Sequence, residues 1–259
     1  MNNSPIGIFD SGIGGLSVLK EINRVLPNEN TIYLADNKNC PYGNKDISDI
    51  IKLSLKNASV LIKMNCKIII VACNTATTNA IKEIRNSFTV PVIGIEPAIK
   101  PAILNTKTNK IGVLATEMTL TSNLFNQTSN KFSDNIEIIE QIGFGLVNLI
   151  EKGDINTENT KQLLKSYIDP MLDSNIDQLV LGCTHYHFLI PIIRQIIPEK
   201  ITIQDPNKAI AKQIKKILKS ENLENTLKSN CKNKVYANGN TEIINTIINL
   251  NGEVNSLDF

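Results

Sequence analysis

Short apolar runs rich in Ile and Val alternate along the chain with stretches in which apolar residues recur at helical spacing. Strands are predicted over 6–9, 31–35, 67–72, 90–95, 110–115, 136–141, 178–182, 201–204 and 235–237. Helices are predicted over 16–26, 47–64, 77–87, 120–132, 145–151, 158–173, 191–197, 208–219 and 241–250. Continuous apolar strands separated by helices are typical of a mostly parallel sheet that is covered on both faces. The pattern therefore predicts an α/β fold.

The two halves of the chain carry similar segments in the same order. IGIFDSG at 6–12 aligns with IGVLATE at 111–117, and IIIVACNTAT at 68–77 aligns with QLVLGCTHYH at 178–187. The second pair contains Cys73 and Cys183, each directly after a predicted strand. Ligands of open parallel sheets bind outside the carboxyl ends of the strands. A duplicated α/β fold would therefore place these two cysteines across a cleft from each other.

Composition narrows the class of protein. The 259 residues carry a formal net charge of +2, contain no Trp and five Tyr, and have no long basic run, which argues against a nucleic-acid surface. The N-terminus lacks a signal-peptide pattern, and the most apolar run is far shorter than the roughly 20 residues of a membrane span. Five scattered cysteines without a C-x-x-C pair disfavour a disulfide scaffold. We expect a reduced, cytoplasmic protein with neither a nucleic-acid nor a membrane partner.

Cys73 is predicted where a strand ends and a helix begins. A single cysteine in a strand is most often a buried apolar residue. At a helix N-terminus, however, the pKa of a thiol is lowered toward neutrality. Asn74 and Thr75 add hydrogen-bond donors for an anionic ligand beside it. The local sequence therefore leaves a structural and a chemical interpretation of Cys73 open.

Cys183 repeats this setting, with His185 two residues further along the chain. The pair is compatible with an activated thiol, with metal ligation or with coincidence. Metal ligation would recruit His187, but the sequence shows no further cluster of cysteines or carboxylates to complete the site. We therefore expect no metal.

Asp10 and Ser11 open a glycine-rich turn, FDSGIGG, between the first strand and the first helix. A dinucleotide-binding loop is the alternative interpretation, but the third glycine of G-x-G-x-x-G is replaced by Ser17. The Asp in the loop would also repel a pyrophosphate. Asp10 is better explained as a partner for a ligand amine or for a thiol.

Taken together, the motifs resemble the glutamate racemases of the aspartate/glutamate racemase superfamily. They follow one another along nearly the whole chain: FDSGIGG at 9–15, PYG at 41–43, ACNTAT at 72–77, IEPAIKPA at 95–102, LATEMT at 114–119, LIEKGDI at 149–155 and LGCTHY at 181–186. The chain departs from the family pattern at His187, where Pro is expected, and at Cys40, which precedes PYG. The segment YANGNTEI at 236–243 matches loosely.

The resemblance implies two pseudo-symmetric α/β domains with the active site between them. We expect residues 1–96 and 208–259 to form the first domain and residues 97–207 the second. Family members are often dimers, so the resemblance is also compatible with a homodimer. It also implies an enzyme without a cofactor that supplies D-glutamate for peptidoglycan.

The same resemblance assigns roles to individual residues. Cys73 and Cys183 are expected to be the two acid/base groups, with Asp10 as the partner of Cys73 and His185 as the partner of Cys183. The expected substrate-binding residues are Asp10, Ser11, Pro41, Tyr42, Gly43, Asn74, Thr75, Thr116, Thr119, Glu151, Thr184 and His185.

Two other functions remain open from the sequence. A sister racemase that acts on aspartate or another amino acid would share the two cysteines. A small-anion binding protein on a duplicated α/β scaffold would share the fold but not the reaction.

Overall fold

The structure, a computed structural model, describes residues 3–132, 135–225, 231–247 and 253–259. Its strands are β1 (Ile6–Asp10), β2 (Thr31–Ala35), β3 (Ile68–Val71), β4 (Val92–Gly94), β5 (Lys110–Ala115), β6 (Glu137–Ile142), β7 (Gln178–Gly182), β8 (Thr202–Gln204), β9 (Asn233–Ala237) and β10 (Glu253–Ser256). Its helices are α1 (Leu16–Val25), α2 (Ile47–Lys63), α3 (Asn74–Ser87), α4 (Ile99–Asn105), α5 (Glu117–Leu120), α6 (Asn123–Phe132), α7 (Leu146–Glu151), α8 (Glu158–Asp173), α9 (Ile190–Ile196), α10 (Asn207–Ser220) and α11 (Glu242–Ile247). Short 3-10 turns cover Asn37–Asn39, Tyr42–Asn44 and Thr184–Leu189.

The strands form two parallel sheets. The first has the order β10-β9-β2-β1-β3-β4, and the second has the order β6-β5-β7-β8. All the recorded strand pairings are parallel. The predicted α/β class with mostly parallel sheets is therefore confirmed.

The similar segments of the two halves of the sequence correspond to a repeated strand order. The run β2-β1-β3-β4 of the first sheet has the same connectivity as β6-β5-β7-β8 of the second. Phe9 of β1 lies beside Val71 of β3, and Ala115 of β5 lies beside Gly182 of β7. Since all four strands run in parallel pairs, the segments that follow them leave each sheet at its carboxyl edge.

The central strands are buried along their whole length, because helices cover both faces of each sheet. One apolar cluster includes residues of both sheets, such as Ile8 and Leu181, together with Ile214 of α10. Helix α10 packs against α1. The division of the chain into domains at residues 96/97 and 207/208 stays a prediction.

Local differences from the predicted elements have physical reasons. Helix α3 begins at Asn74 instead of residue 77, because Cys73 caps it: the Cys73 sulfur accepts a hydrogen bond from Ala76 N at 3.5 Å. The sequence pattern missed α4, whose periodicity is interrupted by Pro101, and β10, which is short and polar. Residues 248–250 of the predicted last helix lie outside the described residues.

Among the described helices, none has the length and apolar character needed to cross a membrane.

A buried ion pair ties the first sheet to the segment after α10. Lys67 Nζ lies 2.6 Å from Glu29 Oε2, and both side chains are almost fully buried. The other carboxylate oxygen of Glu29 accepts a hydrogen bond from Asn225 N at 2.8 Å. Removing one member of a buried pair leaves the other charge without compensation, which is strongly destabilising.

We therefore expect Glu29→Ala to lower the free energy of unfolding by about 3–5 kcal/mol. Chemical denaturation of the purified variant measures this loss. The control is Glu21→Ala, which removes a surface ion pair with Arg24 and should change stability little. Equal effects of the two substitutions would contradict a structural role for the buried pair.

Candidate active site

The predicted site residues gather at the carboxyl edges of both sheets. Asp10 is the last residue of β1, and Cys73 lies two residues after β3. Thr116 directly follows β5, and Cys183 directly follows β7. Both cysteines are buried, with 5% and 6% of their surface exposed. The duplicated fold thus supplies one thiol from each sheet.

The surroundings of Cys73 correct one expectation. Its sulfur donates to Ser11 Oγ at 3.7 Å and accepts from Ala76 N, as expected at a helix N-terminus. Burial and the nearby negative charge of Asp10 nevertheless raise the pKa of the Cys73 thiol to about 12. The expectation of a pKa near neutrality is therefore wrong, because loss of water outweighs the helix terminus. Cys73 rests as a thiol at neutral pH.

Cys183 lies beside an imidazole that is itself held by a carboxylate. Its sulfur is 3.9 Å from His185 Nδ1, and His185 Nε2 is 2.5 Å from Glu151 Oε1. The same Glu151 oxygen accepts a hydrogen bond from Ile13 N at 2.8 Å. The loop between β1 and α1 and the turn after β7 are therefore both attached to the end of α7.

This arrangement favours an ion pair between His185 and Glu151. Burial alone would lower the pKa of His185, but hydrogen bonds with Cys183, Cys40 and Glu151, together with the Glu151 charge, raise it well above its usual value. Burial would raise the pKa of Glu151, but His185 and the Ile13 amide hold it below its usual range. The structure thus places an imidazolium next to the Cys183 sulfur.

Asp10 connects the two halves of the site. Asp10 Oδ1 accepts from Gly12 N at 2.8 Å, and Asp10 Oδ2 accepts from Thr184 Oγ1 at 2.8 Å. Ser11 Oγ lies 3.5 Å from Asp10 Oδ1 and links it to the Cys73 sulfur. No hydrogen bond among the described residues joins Asp10 to Cys73 directly. Burial raises the pKa of Asp10 although the positive charge of His185 acts against this.

A glycine makes the close approach of the two halves possible. A Cβ atom at Gly14 would lie 2.5 Å from His185 Nδ1 and 2.6 Å from Thr184 Oγ1. Any side chain there would force the β1–α1 loop away from the second sheet. The glycine-rich turn therefore serves a contact between the two halves of the protein.

Three threonine hydroxyls form a cluster between α3 and α5. The oxygens of Thr75 and Thr116 are 2.9 Å apart, those of Thr116 and Thr119 are 2.9 Å apart, and those of Thr75 and Thr119 are 3.4 Å apart. Each hydroxyl can rotate to donate to an anion. The structure thus brings together three of the predicted substrate-binding residues, one from the first half and two from the second.

The PYG segment lines a surface depression with Thr116. Pro41 and Gly43 lie in its wall with Thr116, Gly143 and Phe144. A Cβ atom at Gly43 would lie 2.8 Å from the Thr116 Cβ atom, so this approach also depends on glycine.

Two predicted binding side chains already have structural partners. The Tyr42 hydroxyl donates to the Asp36 carboxylate and accepts from Asn57 Nδ2 at 3.0 Å. Asn74 Nδ2 donates to the Ile95 carbonyl at 3.0 Å. These contacts fix the segments that carry Tyr42 and Asn74.

Sequence reasoning missed the roles of two residues. Asp36 directly follows β2 and binds Asn39, Tyr42 and Asn238, so it fixes the loop that carries PYG. The position of Asp36 directly after a predicted parallel strand is the sequence signal that could have indicated this role. Cys40 lies close to Glu151 and His185, which no local pattern indicates.

Both ring nitrogens of His187 have partners other than the cysteines. Its Nδ1 lies 3.2 Å from the Thr184 carbonyl oxygen, and its Nε2 lies 3.0 Å from Asp205 Oδ1. The metal site considered for Cys183, His185 and His187 is therefore not assembled in this structure. His187 supports the turn that carries Thr184 instead.

Comparison with known proteins agrees with this geometry. The sequence model of the family described as Asp/Glu/Hydantoin racemase matches residues 6–214. The chain belongs to this family. It is 41% identical over 248 residues to a glutamate racemase of Clostridium perfringens, an alignment that covers 95% of this chain and 92% of the relative.

Solved structures of racemases share the whole fold. The glutamate racemase isoform RacE1 of Bacillus anthracis superposes with a TM-score of 0.90 at 30% identity, covering 100% of this chain and 98% of that one. The glutamate racemase of Francisella tularensis, solved in complex with D-glutamate, gives a TM-score of 0.86 at 30% identity and covers 99% of this chain and 98% of that one. The family predicted from the sequence motifs is thus confirmed.

The ion pair in this racemase fold leads to a spectroscopic prediction. Glu151→Gln removes the charge that holds the proton on His185, so the pKa of His185 should fall. The chain has two histidines, so NMR titration of their ring signals can follow His185 directly, with His187→Asn used for assignment.

The matched control is Glu117→Gln, which alters an exposed carboxylate just after Thr116. This substitution should leave the His185 titration unchanged. A His185 midpoint that is the same in wild type and Glu151→Gln would contradict the ion pair.

Proposed function

We propose that this protein interconverts L- and D-glutamate without a cofactor, with Cys73 and Cys183 as the two acid/base groups. The observation that carries this proposal is the position of two buried thiols, Cys73 and Cys183, after equivalent strands of two similar sheets. Membership of the racemase family and the many glutamate racemases among its relatives support the choice of substrate. The proposal covers the function and the residue roles alike.

Racemisation needs an acid and a base on opposite faces of the α-carbon. In the L-to-D direction, the Cys183 sulfur takes the α-proton as the C–H bond breaks, and the Cys73 thiol delivers its proton to the other face. Cys73 suits the donor role, because its raised pKa keeps it protonated at neutral pH. Each L-to-D turnover leaves Cys183 as a thiol and Cys73 as a thiolate. Exchange of protons with solvent then returns both sulfurs to their starting states before the next L-to-D turnover.

The proposed partners differ between the two thiols. His185 contacts the Cys183 sulfur directly, so it can stabilise negative charge there. Asp10 acts on Cys73 through Ser11, and its carboxyl group also offers a partner for the substrate ammonium. The two directions of the reaction would therefore use different polar assistance.

Stabilisation of the carbanion must come from fixed dipoles. We infer that the hydroxyls of Thr75, Thr116 and Thr119 and the donors near Thr184 hold the substrate carboxylates, since Thr75, Thr119 and Thr184 are buried and such fixed dipoles act strongly there. We assign substrate binding to these residues together with Asp10, Ser11, Pro41, Tyr42, Gly43, Asn74, Glu151 and His185. The proposed biological role is the supply of D-glutamate for peptidoglycan by a cytoplasmic enzyme, and a homodimer remains a prediction.

Chiral chromatography of purified protein with L-glutamate and no added cofactor tests the proposal. We expect D-glutamate to accumulate until the enantiomers are equal. Cys73→Ser and Cys183→Ser should each lower the rate on the order of 10²–10⁴-fold, because each removes one proton-transfer group. Cys231→Ser, outside the site, is the matched control and should keep the wild-type rate.

Two results would contradict the proposal. Faster racemisation of L-aspartate than of L-glutamate would make the protein a sister racemase. Binding of glutamate without racemisation would make it a small-anion binding protein.

A further inference from the structure

Cys40, Glu151 and His185 form a cluster of three metal-binding side chains. One ligand atom of each lies within 4.8 Å of the others. Cys40 belongs to the loop after β2, Glu151 ends α7, and His185 lies in the 3-10 turn after β7. Three separate segments, from both halves of the protein, thus bring a sulfur, a carboxylate oxygen and an imidazole nitrogen to one place.

We propose that this cluster binds a soft divalent cation such as Zn²⁺, and that the bound ion inhibits the enzyme. Cysteine sulfur and histidine nitrogen select zinc over magnesium or calcium, which prefer oxygen ligands. Ligand atoms around tetrahedral zinc lie roughly 3.3–3.8 Å apart. A movement on the order of 1 Å would therefore close the cluster around the ion.

The charges of the cluster also fit a divalent ion. A thiolate and a carboxylate carry two negative charges, and neutral imidazole carries none, so the three ligands balance Zn²⁺. A site with three protein ligands leaves a fourth coordination position open.

Binding must release protons from the cluster. The metal forms bonds to the Cys40 sulfur and to a His185 nitrogen, and the thiol proton and the imidazolium proton pass to solvent. Because the ion competes with protons for these ligands, its affinity should rise with pH.

Inhibition follows from the position of His185. The imidazole contacts the Cys183 sulfur at 3.9 Å and Glu151 at 2.5 Å, and a bound ion would replace the second contact and remove the ring's positive charge. This inhibitory consequence rests on the proposed racemisation, whereas metal binding does not.

Cobalt provides a test that is independent of catalysis. Wild-type protein titrated with Co²⁺ should show a near-ultraviolet thiolate-to-cobalt absorption band that saturates at one ion per chain. Cys40→Ala and Cys40→Ser should lose the band, and the control Cys231→Ser should keep it. The serine variant preserves the size of the side chain, so it separates loss of the ligand from a packing defect.

Zinc inhibition provides the second measurement. For wild-type protein and each variant, we measure the Zn²⁺ concentration that halves the protein's own racemase activity, and we compare these concentrations. Addition of a chelator should restore the activity. We expect this concentration to rise at least tenfold in Cys40→Ala and Cys40→Ser and to stay unchanged in Cys231→Ser.

The two measurements distinguish failure of this proposal from failure of the proposed function. A wild-type protein without the cobalt band, or Cys40 variants that retain the band and the zinc sensitivity, would overturn the metal site. A protein that shows the Cys40-dependent band but does not racemise glutamate would keep the metal site and refute the enzymatic function.

Discussion

The hydrogen bond from Thr184 Oγ1 to Asp10 Oδ2, at 2.8 Å, joins the two sheets where both cysteines lie. Asp10 is fully buried, and its other oxygen holds the Gly12 amide, so the carboxyl group fixes the glycine-rich turn at the same time. Separating the sheets would take away the Thr184 hydrogen bond of this carboxyl group, and the loss of a hydrogen-bond partner at a buried polar group is costly. The relative placement of Cys73 and Cys183 therefore depends on this contact.

Burial and polar partners together then decide where the protons of the site reside. Burial raises the pKa of Cys73 and of Asp10. For His185 and Glu151 the polar partners outweigh burial, so the pKa of His185 is raised and the pKa of Glu151 is lowered. Two halves of similar fold thus acquire different chemistry, a thiol beside a carboxyl group and a thiol beside an imidazolium. A reaction that needs an acid and a base at once benefits from this difference.

Much of this arrangement could be predicted from the sequence. Alternating apolar runs and helical stretches predicted the α/β class, and the repeated strand-Cys segments predicted one thiol at each sheet edge. Residues far apart in the chain could not be paired in this way: the bond between Asp10 and Thr184 spans 174 positions. The raised pKa of Cys73 was likewise hidden, since it depends on tertiary burial that overrides the local helix terminus.

The most direct test of the two-thiol reaction follows deuterium during the first turnovers of wild-type protein with L-glutamate in heavy water. If two thiols act on opposite faces, the D-glutamate formed should carry deuterium at the α-carbon, while the remaining L-glutamate keeps its proton. Mass spectrometry after chiral separation measures both. Deuterium that enters L-glutamate as fast as D-glutamate forms would instead indicate one base serving both faces, and would contradict the assignment of Cys73 and Cys183.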